Sequence, residues 1–379
     1  MRVALVRQRY TPFGGAERFI ERALPALERA GAELTLIARR AEGWGARRFL
    51  RVDPFFLGNA WRDWAFARAA RRAWRAGGFD LVQSHERIAG CSVYRAGDGV
   101  HAQWMEIREG FAGNLERLGM RLNPYHAYVC AAERRMFGDP ALRAVICNST
   151  MVRDEIRRRF GLPAEKLHVI YNGVDLAHFH PGLRDDLRAA ARADLGLADD
   201  ARAFLFVGSG FARKGLDAAI AALAQCPDTT TVLLVAGKDR HARRFLAQAR
   251  DAGVADRVRL LGARPDVRPL YAAADIFLLP TRYDPFPNTA LEALATGLPV
   301  IVGRCSGAAE VVSADQNGWV CDPADPASLA RLMQQAAGVA GNAARFAQMR
   351  AAARLTAERF GLDAMARELT DLYAKLGAQ

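Results

Sequence analysis

The glycine-rich segment 208–215 carries two adjacent cations, Arg213 and Lys214. It follows the apolar run 204–207 and precedes an Ala- and Leu-rich helical pattern. Glycines let the backbone approach a ligand, while Arg offers a phosphate a planar fork and Lys a point charge. Because a helix start disfavours cations unless an anion is bound, the segment predicts a pyrophosphate site, with a solvated Arg–Lys pair as the alternative. It is not a Walker loop, since Gly215 follows Lys214 in place of Ser or Thr.

A second segment, 283–292, leads through two prolines into a helical pattern that ends near Gly297. Asn288 or Thr289 can cap this helix, and the N–H groups there suit a phosphate or sugar oxygen. Glu292 is expected about one turn further on, near the solvent-facing mouth of the helix, where its carboxylate can accept hydrogen bonds from two ribose hydroxyls. Taken alone, Glu292 also fits an ordinary exposed helix residue.

Two loops in the first half of the chain contain residues suited to a sugar-phosphate site. Gly14 and Gly15 stand between the first apolar run and the first helical pattern, where the backbone can approach an anion. The third glycine of a dinucleotide fingerprint is missing, which argues against NAD, and a plain Gly–Gly turn is the alternative. Asp98 and His101 share a glycine-flanked loop and form the best titratable pair of this half for chemistry at a sugar. A turn-forming Asp and a surface His are the alternative.

The stretch 61–75 predicts a helix with one basic face. Four arginines recur at the i, i+3, i+4 and i+7 spacing that places side chains on one face, namely Arg68, Arg71, Arg72 and Arg75. Trp61 and Trp64 lie near that face, and basic side chains with interfacial Trp suit an anionic membrane surface. The alternative is a solvated helix with an Ala-rich buried face.

These loops connect short apolar runs that alternate with longer Ala-, Leu- and Arg-rich stretches. Such alternation is typical of parallel sheets covered by helices, which would position the loops. The predicted strands are 3–7, 33–38, 81–84, 144–147 and 167–171 in the first half, and 204–207, 231–236, 258–261, 276–279 and 300–302 in the second. Turn residues at 171–175 mark the crossing between the halves. We therefore predict an α/β protein with two doubly wound, Rossmann-like domains, 1–172 and 173–379, that face a central cleft. The last helix, near 362–376, can pack on either domain.

The composition is that of a globular protein, with 379 residues, 51% hydrophobic and 25% charged. No apolar stretch is long enough to cross a bilayer and no signal-peptide pattern is present, so a cytoplasmic location is expected. The six cysteines form no Cys-x-x-Cys pair, which argues against a zinc site or a disulfide framework. The formal net charge of +12 favours polyanionic partners in general without choosing among them.

In their order and spacing, these motifs resemble those of family 4 glycosyltransferases of the GT-B fold over nearly the whole chain. The residues that carry the resemblance are 13–17, 171–175, 208–215 and 284–300. Within that family the chain looks most like the bacterial lipopolysaccharide core α-glucosyltransferases. The resemblance implies a retaining, metal-independent transfer of a hexose from a nucleotide-sugar, with UDP-glucose favoured, to a saccharide or glycolipid acceptor. The expected setting is synthesis of lipopolysaccharide core or another cell-surface glycan, with no cofactor, no metal and no nucleic-acid partner, and with a possible peripheral position on the inner face of the inner membrane.

The resemblance also implies roles for single residues. Arg213 and Lys214 would hold the diphosphate, Glu292 the ribose, and Arg264 would lie in the loop that contacts the base. The donor-binding set is then Gly14, Gly15, Gly208, Arg213, Lys214, Arg264, Asn288, Thr289 and Glu292. The catalytic set is Asp98, His101, Arg213, Lys214 and Asp284. The family usually has two glutamates eight positions apart, and Asp284 replaces the first, so its shorter reach is expected to alter a hydrogen bond to the donor sugar.

Three other functions fit parts of this pattern. A GT-B nucleotide-sugar epimerase would share the fold and the phosphate site. A non-catalytic polyanion-binding protein would account for the net charge but would leave the arrangement from Arg213 to Glu292 without a purpose. An NAD-dependent oxidoreductase is disfavoured by the missing fingerprint.

Overall fold

The chain forms two compact units, and a computed structural model describes them through residues 1–10, 24–25, 27–29, 31–45 and 47–378. The first unit comprises Met1–Gly173 and Leu362–Gln379, and the second comprises Val174–Gly361. The division falls one residue after the predicted boundary between 172 and 173. It differs from the predicted second domain, 173–379, at the C terminus, because the last helix belongs to the first unit.

A parallel sheet forms the centre of the described part of the first unit. The strands of this unit are β1 (Arg2–Val6), β2 (Arg9–Tyr10), β3 (Glu33–Ala38), β4 (Arg40–Ala41), β5 (Arg48–Arg51), β6 (Leu81–Ser84), β7 (Val93–Arg95), β8 (Ala144–Cys147) and β9 (Leu167–Val169). The main sheet has the order β5-β3-β1-β6-β7-β8-β9, while β2 and β4 pair separately. Val3 and Leu5 of β1 pack in one buried cluster and Ala4 and Val6 in another, as expected of a parallel strand covered on both faces.

Helices contribute further residues to both clusters. In the first unit they span Gly58–Gly77, His101–Phe111, Asn114–Leu122, Pro124–Phe137, Thr150–Phe160 and Leu362–Gly377, with a 3₁₀ turn at Ala164–Lys166. The last helix buries Leu369 and Leu372 in the cluster that contains Val3. Tyr373 Oη also donates a hydrogen bond of 2.7 Å to Gln83 Oε1. This apolar face, which repeats at three- and four-residue spacing, is the reason why the C-terminal helix belongs to the first unit.

The second unit is built on its own parallel sheet. Its strands are β10 (Arg202–Val207), β11 (Thr231–Ala236), β12 (Val258–Gly262), β13 (Ile276–Leu279), β14 (Val300–Gly303) and β15 (Gly318–Cys321). Its helices are Leu183–Asp194, Phe211–Lys214, Leu216–Ala224, Ala242–Asp251, Arg268–Ala273, Asn288–Ala295, Pro326–Gly341 and Ala343–Glu358, with 3₁₀ turns at Ala255–Arg257 and Gly307–Val311. The strand order, β12-β11-β10-β13-β14-β15, is that of a doubly wound nucleotide-binding sheet.

The predicted α/β architecture of two doubly wound halves is confirmed. Each predicted strand is present, and the ends differ from the prediction by at most two residues. The strands β2, β4, β5, β7 and β15 are absent from the prediction. They have two to four residues each, which is too short for a clear pattern, and every side chain of β5 is exposed.

Candidate active site

The strands β10 and β13 lie side by side at the point where the strand order of the second unit reverses. In a doubly wound sheet, ligands bind beyond the carboxyl ends of the strands at this point. The segment after β10 contains Arg213 and Lys214, and the segment after β13 contains Asp284 and leads into the helix Asn288–Ala295. The topology therefore brings together two segments that lie about seventy residues apart in sequence.

A single helical turn, Phe211–Lys214, lies between two glycines in the left-handed backbone conformation. Gly210 has a φ of 74° and Gly215 a φ of 78°. A Cβ atom at Gly215 would lie 1.9 Å from the carbonyl oxygen of Pro280, so only glycine fits there. The turn is thus packed closely against the segment that follows β13.

Two hydrogen bonds fix the backbone of this turn. The carbonyl oxygen of Arg213 accepts one from the N–H of Arg282 at 2.9 Å and one from Thr281 Oγ1 at 3.0 Å. Thr281 is fully buried, so water does not compete for this contact. The backbone beneath the two cations is therefore held in place before any ligand binds.

Asp284 joins the two cations. Lys214 Nζ donates a hydrogen bond to Asp284 Oδ2, and the Arg213 guanidinium lies 3.5 Å from the same oxygen. Lys214 and Asp284 are 8% and 6% exposed. Burial lowers the pKa of Lys214, although the charge of Asp284 opposes this shift. Burial also acts to raise the pKa of Asp284, but the charges of Lys214 and Arg213 outweigh it and the pKa is lowered. Asp284 thus partners the cations, and its hydrogen bond to a donor sugar stays a prediction.

The helix Asn288–Ala295 begins without a side-chain cap. Its N-cap residue is Pro287, so the prediction that Asn288 or Thr289 caps the helix is wrong, because both residues already lie in its first turn. The hydroxyl of Thr289 is buried and has no hydrogen-bond partner among the residues that the structure describes. A buried hydroxyl at the start of an uncapped helix suits an incoming phosphate or sugar oxygen.

Glu292 is buried in the same helix, at 2% exposure. The expectation that it lies at a solvent-facing mouth is wrong, because the helix is buried along its length from residue 290 to residue 295. Tyr271 Oη lies 3.0 Å from Glu292 Oε2 and 3.1 Å from the Thr289 carbonyl oxygen. Tyr271 was not identified from the sequence, and it holds the carboxylate that is proposed to bind ribose.

Two other predicted donor residues flank this region. Gly208 follows β10, and a Cβ atom at Gly237 would lie 2.0 Å from its carbonyl oxygen, so the turns after β10 and β11 pack together. Arg264 is exposed after β12, and no hydrogen bond or ion pair links it to Arg213, Lys214 or Asp284 in the described parts of the chain. Its predicted contact with the base stays a prediction.

In the first unit, Asp98 and His101 do not pair with each other. The Asp98 carboxylate lies 3.9 Å from the Arg7 guanidinium and lines a cavity of about 380 Å³. The ring of His101 stacks on that of His126, with centroids 5.2 Å apart. Burial lowers the pKa of His101 to about 4, and the positive charge of Arg87 adds to this shift. The predicted residues Gly14 and Gly15 lie outside the described residues.

Two acidic residues near this cavity were missed from the sequence. Glu86 lines it two residues after the end of β6, and burial raises the pKa of its carboxyl group. Glu133 is almost fully buried and accepts hydrogen bonds from the N–H of His101 at 2.7 Å and from Arg87 Nε at 2.8 Å. The position of Glu86 at the carboxyl end of a predicted strand was the available signal.

Within the ranges given above, no group of three or more His, Cys, Asp or Glu side chains is placed to hold a metal ion. None of the described helices is both long and apolar enough to cross a membrane.

Two family models match the chain. The model for group 1 glycosyl transferases matches residues 188–348, and the model for glycosyltransferase family 4 matches residues 13–178. These two ranges contain the segments that carry Arg213, Asp284 and Asp98.

Individual relatives agree with the family models. A D-inositol 3-phosphate glycosyltransferase from Streptomyces bingchenggensis is 30% identical over 82% of this chain and 70% of its own length. The lipopolysaccharide glucosyltransferase WaaG from Escherichia coli is 28% identical over 84% of each chain. A D-inositol 3-phosphate glycosyltransferase from Xylanimonas cellulosilytica is 32% identical, and the match covers 61% of this chain and 57% of that enzyme.

Solved structures show the same fold. A crystal structure of WaaG, a glycosyltransferase involved in lipopolysaccharide biosynthesis, matches with a TM-score of 0.84 and 24% identity over 98% of this chain and 99% of that one. Anabaena HepE in complex with UDP-glucose matches with a TM-score of 0.72 and 20% identity over 99% of this chain and 100% of that one. Two doubly wound α/β units, each with its own parallel sheet, define the GT-B fold. The chain belongs to the group 1 and family 4 glycosyltransferases.

Proposed function

We propose that the chain is a retaining, metal-independent glycosyltransferase that moves a hexose from a nucleotide-sugar to a saccharide or glycolipid acceptor. The observation that carries this proposal is the buried pair of Lys214 and Asp284, with Arg213 beside it, at the switch point of the second unit. Breaking a glycosyl–phosphate bond develops negative charge on the leaving diphosphate. Cations held in place beforehand stabilise that charge more in the transition state than in the ground state.

The favoured donor is UDP-glucose. The HepE complex with UDP-glucose and the glucosyltransferase activity in the name of WaaG support this choice. In the proposed complex, the diphosphate contacts Arg213 and Lys214 and extends toward the buried Thr289 hydroxyl. The ribose hydroxyls donate to Glu292, which Tyr271 orients, and the base lies near Arg264.

Retention follows from attack on the same face of the sugar that the leaving diphosphate departs from. In that mechanism the departing phosphate oxygen takes the proton of the acceptor hydroxyl, and no protein nucleophile is needed. Arg213 and Lys214 take the charge-stabilising part that a metal ion plays in other transferases. The family matches are to glycosyltransferases, which favours transfer over a nucleotide-sugar epimerase or a polyanion-binding protein.

The acceptor and the cellular setting are also proposals. The names of WaaG and of the inositol-phosphate relatives support a cell-surface saccharide, such as lipopolysaccharide core, or a phosphorylated small molecule. A peripheral position on the cytoplasmic face of the inner membrane is supported by two exposed tryptophans of the helix Gly58–Gly77. Its Trp61 and Trp64 side chains are 44% and 49% exposed.

The test supplies the full chain with UDP-glucose labelled at the anomeric carbon and with lipopolysaccharide truncated within its core. We expect labelled glucose in the product with the small H1–H2 coupling of an α-linkage, at a rate that EDTA does not change. A β-linked product, or loss of activity in EDTA, would contradict the retaining or metal-independent part of the proposal. Conversion of the donor without any acceptor would favour the epimerase. A thermal-shift series with UDP-, GDP- and ADP-sugars should give its largest shift with UDP-glucose.

A further inference from the structure

A groove in the first unit is lined by arginines from three segments of the chain. Its volume is about 430 Å³, and its lining includes Arg68, Arg71, Arg72, Arg75, Arg87 and Arg135. The first four come from the helix Gly58–Gly77 and Arg135 comes from the helix Pro124–Phe137. Among the described residues, no acidic side chain lines the groove. It shares Arg87 and Tyr128 with the cavity that contains Asp98.

Most of these arginines lack an internal counter-charge. Among the residues that the structure describes, no ion pair or hydrogen bond joins a carboxylate to Arg68, Arg71, Arg72, Arg75 or Arg135. Like charges at i, i+3 and i+4 destabilise a helix, and this helix carries four of them on one face. An anion bound in the groove would remove that repulsion.

The groove is concave, and two of its arginines are held in place by contacts with other residues. Arg71 is half-buried and packs against Gly90, where a Cβ atom would lie 3.6 Å from its Nε. Arg87 donates to Glu133 at 2.8 Å and to the Gly99 carbonyl oxygen at 3.2 Å, so its guanidinium has a fixed position. Guanidinium groups held at fixed positions around a concave surface match the oxygens of a phosphate, which they bind as forks.

We propose that this groove binds a phosphate group carried by the saccharide acceptor. The proposal rests on the transfer function given above and adds the chemical class of the acceptor. The groove adjoins the cavity of Asp98, so a phosphorylated sugar can reach from one into the other. Trp64, half-exposed at the groove, offers an aromatic face beside the cations, with the Arg68 guanidinium 6.0 Å from its ring centroid. The concave shape and the half-buried Arg71 favour a single phosphate group over the plane of a lipid surface.

The test is calorimetric titration of the full chain with glucose 6-phosphate and, separately, with glucose, in the absence of any donor. The key variant is Arg72→Ala with Arg135→Ala, which removes one cation from each helical wall. Its matched control is Arg250→Ala with Arg331→Ala, which removes the same charge from exposed positions of the second unit. We expect the wild type and the control to bind glucose 6-phosphate much more tightly than glucose. We expect the key variant to lose about tenfold in affinity, since each charge-assisted hydrogen bond contributes measurably to binding.

The variant Lys214→Ala separates this groove from the donor site. We expect it to bind glucose 6-phosphate as the wild type does, and because no donor is present this result does not depend on the transfer reaction. Equal affinities of wild type and key variant would overturn the proposal, and so would loss of binding in Lys214→Ala alone. A third titration uses vesicles of phosphatidylglycerol and phosphatidylcholine in equal parts. If the key variant lost vesicle binding but kept its affinity for glucose 6-phosphate, the groove would be a lipid site and the proposal would be wrong.

Discussion

The ion pair between Lys214 and Asp284 determines the electrostatics of the candidate donor site. Both side chains are buried, and Arg213 lies beside the same carboxylate oxygen. Removing one partner of a buried pair leaves a charge without compensation, which typically costs about 3–5 kcal/mol. A bound diphosphate would place further negative charge next to the two cations. The ligand and Asp284 would then both interact with Arg213 and Lys214.

Asp284→Asn should therefore reduce the free energy of unfolding by about 3 kcal/mol in the absence of ligand. UDP should recover part of that loss, because its diphosphate replaces the missing negative charge beside Lys214. Chemical denaturation with and without UDP measures both effects. Asp322→Asn, which breaks an exposed pair with Arg304, is the control and should cost less than about 1 kcal/mol. Equal losses in the two variants, or equal stabilisation of both by UDP, would count against this role of Asp284.

Glu292→Gln should weaken UDP binding by about tenfold, since a neutral amide is a poorer acceptor for two ribose hydroxyls than a carboxylate. Tyr271→Phe, which removes only the hydroxyl that holds the carboxylate, should weaken it by a smaller factor. Calorimetric titration of UDP into both variants decides whether Glu292 contacts the ribose or has only a structural role. If Tyr271→Phe had the larger effect, Glu292 would not be the ribose acceptor.

At the level of secondary structure, the one-turn helix Phe211–Lys214 positions the cations. Its position depends on Gly215, which combines a positive φ with a close approach to the Pro280 carbonyl oxygen. Strand β10 leads into this turn, and the neighbouring strand β13 leads into the segment that contains Pro280.

Gly215→Ala should destabilise the second unit by more than about 3 kcal/mol, because the strained φ and the clash with the Pro280 carbonyl add together. Gly253→Ala is the matched control, since Gly253 has a φ of 70° but nothing lies within 4 Å of a Cβ there. We expect the control to cost about 1 kcal/mol from the φ alone. Urea denaturation of both variants measures the difference, and similar losses would show that the Pro280 contact is unimportant.

The elements of the sheets were largely predictable, because buried parallel strands such as β11 and β13 are continuous apolar runs. The exposed β5 gives no such run and was missed. In the site, Arg213 and Lys214 were found from their local glycine-rich context. The partnership of Lys214 with Asp284 was not, because it joins residues that only the tertiary fold brings together.

The burial of Glu292 and the helix start at Asn288 were mispredicted for a related reason. The sequence shows which residues can cap a helix, but the N-cap position is taken by Pro287, one residue before Asn288. The contact of Tyr271 with Glu292 links two different helices, and no local pattern marks it. The sequence therefore predicted which segments could bind a ligand, but it did not predict which distant side chains would contact each other.

At the level of the whole molecule, each unit has its own sheet and core, and the C-terminal helix completes the first one. Leu369, Leu372 and Tyr373 of that helix are buried among residues from β1 and β3. The chain thus returns to its first unit after the second is complete. Apart from Gly14 and Gly15, which lie outside the described residues, the residues proposed to bind the donor lie in the second unit.

Leu369→Ala should lower the stability of the first unit by about 3 kcal/mol, since it removes a buried side chain and leaves a cavity. Leu115→Ala, at an 87% exposed position of the same unit, should change it by less than about 0.5 kcal/mol. Under conditions where both variants remain folded, UDP should bind them with wild-type affinity, which calorimetry measures. Loss of UDP affinity in Leu369→Ala would show that UDP binding depends on the packing of the first unit.

The kcat of Lys214→Ala for glucose transfer from UDP-glucose tests the central claim most directly, because Lys214 is proposed to stabilise the leaving diphosphate. We predict a fall of at least about a hundredfold, the effect of removing one such group in other enzymes. Arg331→Ala, an exposed cation of the same unit, should leave kcat unchanged, and circular dichroism should show that both variants are folded. Transfer by folded Lys214→Ala at a near wild-type kcat would contradict the assignment of the donor site.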